Sequence, residues 1–159
     1  MSVSAGHAHD RPHPHHRADA RDRLIVAVDE ADPAAARALI ERLEGAPRWL
    51  KIGMTLFYTA GPSIVRDVLA EGYQVFVDLK CHDIPHQVSG AIKALTGLGA
   101  GLLTIHTAGG PAMMDAAAEA AAGSECTVLG VTVLTSLDSE GLRAVGASYD
   151  PAALVLRRA

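Results

Sequence analysis

The sequence contains no apolar run long enough to cross a bilayer, and residues 1–22 have no apolar stretch of the kind that forms a secretory signal. It has only two cysteines, Cys81 and Cys126, and they lack CxxC spacing. Reduced thiols are therefore expected rather than a disulfide or a metal pair. Together these absences predict a soluble, cytoplasmic protein.

An excess of basic residues is also absent, since 14 Lys and Arg stand against 18 Asp and Glu, for a formal net charge of −4. Proteins that bind nucleic acid neutralise its phosphates with clustered Lys and Arg. We therefore expect neither nucleic acid nor a membrane as a partner. The composition, 49% apolar and 20% charged, is that of a globular domain, and 159 residues suffice for one core.

The N-terminal segment, residues 1–22, differs from the rest of the chain. It holds five of the eight histidines and two prolines, but no periodic set of apolar residues. It cannot bury enough surface to offset the entropy of ordering, so a disordered tail is predicted. Histidines at this density bind transition metals weakly, but no fixed scaffold closes a site, so no functional metal site is expected.

From residue 23 onward, short apolar segments alternate with helical ones. Strands are predicted at 24–29, 48–53, 73–80, 101–106 and 126–135. Helices are predicted at 32–45, 61–71, 85–99 and 111–123, and a fifth helix begins after the last strand. This alternation predicts parallel β/α units, which occur both in doubly wound open sheets and in (β/α)8 barrels. Periodicity alone does not separate these two folds.

The glycine-rich segment GLGAGL (97–102) looks like a dinucleotide-binding fingerprint, but it follows a helix and precedes a strand. The fingerprint needs its glycines after a strand and before a helix, where backbone amides face the phosphates. The chain also contains no P-loop sequence. A Rossmann or nucleoside-triphosphate-binding fold is therefore not expected.

Polar side chains stand where the predicted strands end, which is the edge where parallel β/α proteins place their active sites. They are Asp29, Lys51, Asp78, Lys80, Thr104, His106, Thr135 and Ser136. Asp78 and Lys80 are two residues apart, so they share one face of their strand. Charges are rarely buried unless paired, and such a set forms either structural ion pairs or an active site. Its spread over several strands favours an active site.

The most specific signal is the motif Asp78-x-Lys80-x-x-Asp83-Ile84-Pro85, which resembles the catalytic signature of the orotidine 5′-phosphate decarboxylases. The resemblance covers 24–159 in the family's order, through VAVD (26–29), KIG (51–53), GP (61–62), TIHTAGGPAMM (104–114) and VTVLTS (131–136). It implies a (β/α)8 TIM-type barrel, with only the first five β/α units present in 23–159.

The resemblance also implies a homodimer with shared active sites and no metal or organic cofactor. Its reaction would remove CO2 from C6 of orotidine 5′-phosphate to give UMP in de novo pyrimidine biosynthesis. Lys80 would stabilise and protonate the C6 carbanion, and Asp78 would sit beside the substrate carboxylate. Asp29 and Lys51 would hold the ribose hydroxyls, with Lys51 also joining the catalytic charges.

Four further roles follow from the same resemblance. Asp83 would be a catalytic residue that reaches across the dimer into the partner's site, and Ile84 would line the pyrimidine pocket. Thr135 would lie at the pyrimidine end of the substrate. The family usually continues its motif with Asn-Thr, whereas His86 and Gln87 stand here. Gln87 donates and accepts hydrogen bonds, so we expect it to bind substrate.

Two other interpretations stay open. Eight β/α units usually need about 200 residues or more, so a truncated product or partial sequence is expected, and it could be an inactive remnant. The second alternative is a Mg²⁺-dependent sugar-phosphate decarboxylase or synthase of the same superfamily. Those enzymes are similar around the motif but carry a carboxylate where Lys51 stands.

Overall fold

A computed structural model describes residues 19–159. Most of the predicted disordered tail, residues 1–22, lies outside the described residues. Its last residues do not fit that prediction, because Ala20–Arg23 forms a 3-10 helix. Asp22 in this turn forms an ion pair of 2.6 Å with Arg48, so the folded part begins before the predicted boundary at residue 23.

The centre of the fold is one sheet of five parallel strands. The strands are β1 Ile25–Val28, β2 Trp49–Gly53, β3 Gln74–Cys81, β4 Leu102–His106 and β5 Thr127–Val131. All five strands were predicted, but the predicted fifth strand ended at residue 135, whereas β5 ends at Val131. Its five residues pair with all five residues of β4, and His106 pairs with Val131. Because β4 ends there, the chain beyond Val131 has no neighbouring strand on that side to continue the ladder.

Helices follow each strand, as predicted, with two differences. They are α1 Pro33–Arg42, α2 Met54–Ala60, α3 Ser63–Ala70, α4 Pro85–Gly97, α5 Pro111–Ala121, α6 Ser139–Ala144 and α7 Pro151–Arg158. The short helix α2 directly after β2 was not predicted. The expected fifth helix is split into α6 and α7, and Gly146 between them has a φ of 82°, which ends a helix at little steric cost.

Strand order separates the two folds that periodicity left open. The order across the sheet is β1-β2-β3-β4-β5, and every neighbouring pair is parallel. In a doubly wound sheet, strands are added first on one side of β1 and then on its other side, and helices cover both faces of the sheet. Right-handed crossovers in one continuous direction place the helices on one face, as in a barrel. The described residues therefore form the first five units of a (β/α)8 barrel.

The main core lies between the helices and one face of the sheet. Its fully buried strand residues include Val28, Leu50, Ile52, Val75, Val77 and Leu103. Burying one such side chain stabilises the fold by about 1.5–3 kcal/mol. The opposite face is less covered, and Ile25 on β1 and Leu129 on β5 remain 42% and 38% exposed. Among residues 19–159, no helix combines the length and apolar character needed to cross a bilayer.

Candidate active site

Four side chains of alternating charge meet at the carboxyl ends of the first three strands. Lys51 Nζ lies 2.9 Å from Asp29 Oδ1 and 3.7 Å from Asp78 Oδ2. Lys80 Nζ lies 2.8 Å from Asp78 Oδ1. We call Asp29, Lys51, Asp78 and Lys80 the charge network. The structure brings these four residues together, as their positions at strand ends predict.

Strand register explains how the network is assembled. Lys51 of β2 is paired with Phe76 of β3, and Gly53 is paired with Asp78. Lys51 therefore lies diagonally across from Asp78 on the same face of the sheet. A Cβ atom at Gly53 would stand 3.4 Å from Asp29 Oδ1 and 3.6 Å from Lys51 Nζ. Gly53 therefore lies directly beside the ion pair between Asp29 and Lys51, at ordinary van der Waals distance.

Asp78 is the least exposed member of the network, with 13% of its side chain exposed, against 67% for Asp29. Burial by itself would raise the pKa of Asp78. Hydrogen bonds from Lys80 and Thr104 and the charges of Lys80 and Lys51 outweigh burial, so the pKa falls below its ordinary value of 3.8. Asp78 is therefore ionised at neutral pH and faces two ammonium groups.

Lys80 has an unusual backbone conformation, with a φ of 50°. The register between β3 and β4 shifts here, since Val77 pairs with Leu103 but Cys81 pairs with Ile105. Such a β-bulge re-aims a side chain, and a non-glycine residue at positive φ stores strain of about 1–3 kcal/mol. Residues 73–80 predict a regular strand here, without this bulge. Lys80 Nζ nevertheless lies 2.8 Å from Asp78 Oδ1.

Thr104 of β4 completes this part of the site. Its side chain is buried, its Oγ1 accepts a hydrogen bond from Lys80 N at 2.9 Å, and it donates one to Asp78 Oδ1 at 2.9 Å. The sequence placed Thr104 at a strand end but gave it no role. The signal that was present is its position two residues before His106, on the same face as the charged residues of β3.

His106 and His82 lie beside Lys80, and their ring centroids are 5.3 Å apart. Burial lowers the pKa of His106, and the positive charges of His82, Lys80 and Arg158 lower it further. His106 is therefore mostly neutral at neutral pH. The neutral His106 imidazole therefore adds hydrogen-bonding groups beside the lysine without adding a full charge.

Four predicted residues lie away from the network. Asp83 is exposed and its Oδ1 accepts from Ile84 N at 2.7 Å, while Ile84 is itself 63% exposed. Gln87 is exposed in the first turn of α4, and Thr135 is exposed in a turn after β5. Within residues 19–159, none of these four side chains hydrogen-bonds to the network.

Two cavities flank Lys80. One of about 270 Å³ is lined by the charge network together with Gly53 and Thr55. The other, of about 530 Å³, is lined on its polar side by Tyr58, Lys80, His82 and His106. A small substrate in the first cavity would meet both lysines and both carboxylates.

The described residues offer no cluster suited to a metal ion. No group of three or more His, Cys, Asp or Glu side chains in residues 19–159 is arranged to hold one. Between the two carboxylates of the network stands the ammonium of Lys51, where a cation would otherwise bind. Cys81 and Cys126 are free thiols, and burial raises the pKa of both.

Sequential parallel β/α units place this chain in the class of (β/α)8 barrels, and its lysine–carboxylate network lies at the carboxyl ends of the strands, where active sites of such barrels lie. The family model described as "Orotidine 5'-phosphate decarboxylase / HUMPS family" matches residues 22–159. The chain therefore belongs to this family, which confirms the resemblance seen in its motifs.

Curated relatives agree with the family match. The chain is 48% identical over 134 residues to orotidine 5′-phosphate decarboxylase of Moorella thermoacetica, covering 80% of this chain and 53% of the relative. It is 43% identical over 136 residues to the Opitutus terrae protein of the same name, covering 84% and 59%. The chain thus spans between half and three-fifths of the length of these relatives.

Solved structures give the same result. An uncharacterized conserved protein from Geobacillus kaustophilus matches with a TM-score of 0.79 and 37% identity, over 85% of this chain and 66% of that one. Orotidine 5′-phosphate decarboxylase from Lactobacillus acidophilus matches with a TM-score of 0.78 and 34% identity, over 86% and 64%. Both support the barrel fold inferred from strand order.

Proposed function

We propose that this chain carries the catalytic charges of an orotidine 5′-phosphate decarboxylase, a carboxy-lyase of UMP synthesis acting in the cytoplasm. The observation that carries the proposal is the position of Lys80. Its ammonium is held 2.8 Å from Asp78 at the edge of a cavity that also contains Lys51 and Asp29. Such an arrangement suits a reaction that develops negative charge at one fixed atom.

In the proposed reaction, the bond between C6 and the substrate carboxylate breaks. The electron pair stays on C6 and neutral CO2 leaves. The Lys80 ammonium stabilises the resulting carbanion and then transfers a proton to C6, and solvent later reprotonates the amine. Two unit charges about 4 Å apart interact by about 4 kcal/mol at an effective dielectric near 20, so a pre-placed ammonium has a large effect on the barrier.

The other network residues support this step. Asp78, ionised at neutral pH, keeps Lys80 protonated and fixes its direction. In the proposed complex Asp78 lies beside the leaving carboxylate, while Asp29 and Lys51 hold the ribose hydroxyls. Asp29 is two-thirds exposed, so it remains free to exchange solvent for a sugar hydroxyl.

The exposed residues at the start of α4 fit a site shared between two copies of the protein. Asp83 and Ile84 lie three and four residues after Lys80 in sequence but are exposed to solvent. An isoleucine left 63% exposed beside an exposed carboxylate would gain burial in a partner's pocket. We assign Asp83 to the partner's catalytic site, Ile84 to its pyrimidine pocket, and Gln87 and Thr135 to substrate contacts at the rim.

The network argues against the Mg²⁺-dependent alternative. Lys51 places a positive charge 2.9 Å and 3.7 Å from the two carboxylates that would otherwise bind a cation. Placing Mg²⁺ there would bring two like charges together at short range. The proposed reaction therefore uses the ammonium groups of the chain itself and no cofactor.

The test is to incubate the purified protein with orotidine 5′-phosphate and follow the loss of orotate absorbance, with and without EDTA. We expect turnover that yields UMP and CO2 in equal amounts and that EDTA leaves unchanged. Activity that is lost with EDTA and restored by Mg²⁺ would contradict the cofactor-free reaction. An absence of turnover in the protein containing this chain would contradict the proposal.

A further inference from the structure

We propose that Thr104 is a positioning residue, which fixes Lys80 and Asp78 together through a single hydroxyl group. The proposal concerns the geometry and titration of these two groups. Only its kinetic consequence rests on the proposed function.

The β-bulge in β3 creates the need for such a residue. Between the Val77–Leu103 and Cys81–Ile105 pairs, β3 advances four residues while β4 advances two. Inside this bulge the Lys80 N–H donates to Thr104 Oγ1 at 2.9 Å, so a side chain serves as the acceptor. A strained backbone conformation persists only where its surroundings hold it, and this bond holds Lys80 at its positive φ.

The direction of the two hydrogen bonds is fixed by chemistry. A backbone N–H can only donate, so the Thr104 hydroxyl accepts from Lys80 and keeps its own proton for Asp78 Oδ1 at 2.9 Å. The same Oδ1 accepts from Lys80 Nζ at 2.8 Å. A closed ring therefore links the Lys80 backbone, the Thr104 hydroxyl, the Asp78 carboxylate and the Lys80 ammonium.

The hydroxyl group in this ring is buried, so it depends on its partners in the ring for its hydrogen bonds. Thr104 is 5% exposed, and among residues 19–159 the only other buried side chain with a polar group is that of Tyr73, at 7%. Buried polar groups are kept where they are hydrogen-bonded, and here both partners belong to the proposed catalytic pair. The β-branched side chain of threonine also has few χ1 rotamers, so the hydroxyl is held in its place.

Removing the hydroxyl has a defined electrostatic consequence. The charged groups around Asp78 are Lys51 from β2 and Lys80 from its own strand, with Asp29 beyond Lys51. His82 and His106 are the titratable groups on the other side of Lys80. The hydrogen bond from Thr104 is one of the interactions that lower the pKa of Asp78. Its loss should raise that pKa while all of these charged or titratable groups remain.

The test is a ¹³C NMR titration of the Asp78 carboxyl in wild-type protein and in Thr104→Val, which keeps the side-chain shape but lacks the hydroxyl. We expect a higher Asp78 pKa and a shifted Lys80 amide resonance in Thr104→Val, and near wild-type values in Thr104→Ser. Thr96→Val is the matched control, since it removes a hydroxyl bonded to a helix carbonyl on α4. If Thr104→Val does not fold, Thr104→Ala gives the same comparison.

The kinetic arm measures kcat and KM over a range of pH. We expect Thr104→Val to lower kcat by up to about 100-fold with little change in KM, because misplacing a reacting group by about 1 Å costs that much. The acidic limb of its kcat profile should move to higher pH. An unchanged Asp78 titration and Lys80 amide in Thr104→Val would overturn the proposal. Because the NMR arm needs no turnover, failure of the proposed decarboxylation would not be mistaken for that result.

Discussion

The two faces of strand β3 carry different types of residue. Val75 and Val77 point toward the helices and are fully buried. Asp78 and Lys80 point the other way, and 13% and 31% of their side chains are exposed. One strand therefore supplies apolar burial on one face and paired charges on the other. Stability and chemistry are separated by the two-residue alternation of a strand, so each can be altered without the other.

Apart from loss of Lys80 itself, the largest effect should come from removing the central negative charge of the network. In Asp78→Asn, Lys51 and Lys80 lose the carboxylate between them, so we expect kcat to fall by about 10³-fold, as when a preorganised electrostatic group is lost. Steady-state kinetics measure the change. Asp67→Asn is the control, since Asp67 pairs with Arg37 on the exposed surface. Equal losses in both variants would show that the network has no special role.

A change on the helix-facing side should lower stability, whereas Asp78→Asn should lower activity. Ile52, next to Lys51 in β2, is fully buried. Ile52→Ala should lower the free energy of unfolding by about 2–5 kcal/mol through lost burial and a cavity. Urea denaturation measures this, and Leu156→Ala, at a side chain 80% exposed, should change it little. A stable Ile52→Ala variant without activity would break the proposed separation of the two faces.

Subunit mixing tests the exposed residues at the start of α4. If Asp83 acts in a partner's site, mixing inactive Lys80→Ala and Asp83→Ala variants should restore part of the activity. The mixed dimer would contain one site that carries both wild-type residues. Each variant mixed with itself is the control. No recovery, under conditions in which the two chains exchange, would assign Asp83 to its own subunit or to neither site.

The smallest effect is a dependence of stability on pH. Asp78 has a pKa below 3.8 in the folded state, so it binds its proton less readily when folded than when unfolded. Its stabilising contribution is complete above the unfolded pKa and is lost as pH falls through the folded one. The difference in free energy of unfolding between wild type and Asp78→Asn should therefore narrow below pH 3.8. A difference that grows with acidity would reverse the sign of this linkage.

The sequence predicted the strands well because each is an apolar segment bounded by helix caps and glycines. It did not predict the short helix α2, whose seven residues MTLFYTA give too few turns for a clear period and include β-branched and aromatic residues. The choice between barrel and open sheet also required the structure. It depends on strand order, which is a long-range property with no local sequence signal.

The candidate site could also be predicted only in part, because some of it depends on long-range contacts. Asp29, Lys51, Asp78 and Lys80 could be found because parallel strands end at the same edge, so position along each strand fixes proximity. The role of Thr104 and the positive φ of Lys80 could not be predicted from the sequence. Both arise where β3 and β4 shift register, and that shift depends on contacts between residues 24 positions apart.

The most direct test of the account is a comparison of Lys80→Ala with Lys93→Ala, an exposed lysine on α4. Decarboxylation of orotidine 5′-phosphate and thermal unfolding should be measured on the same samples. We expect Lys80→Ala to abolish turnover while its unfolding temperature stays close to that of wild type, and Lys93→Ala to leave both unchanged. Near-normal turnover in Lys80→Ala would contradict the assignment of Lys80 as the group that protonates the substrate.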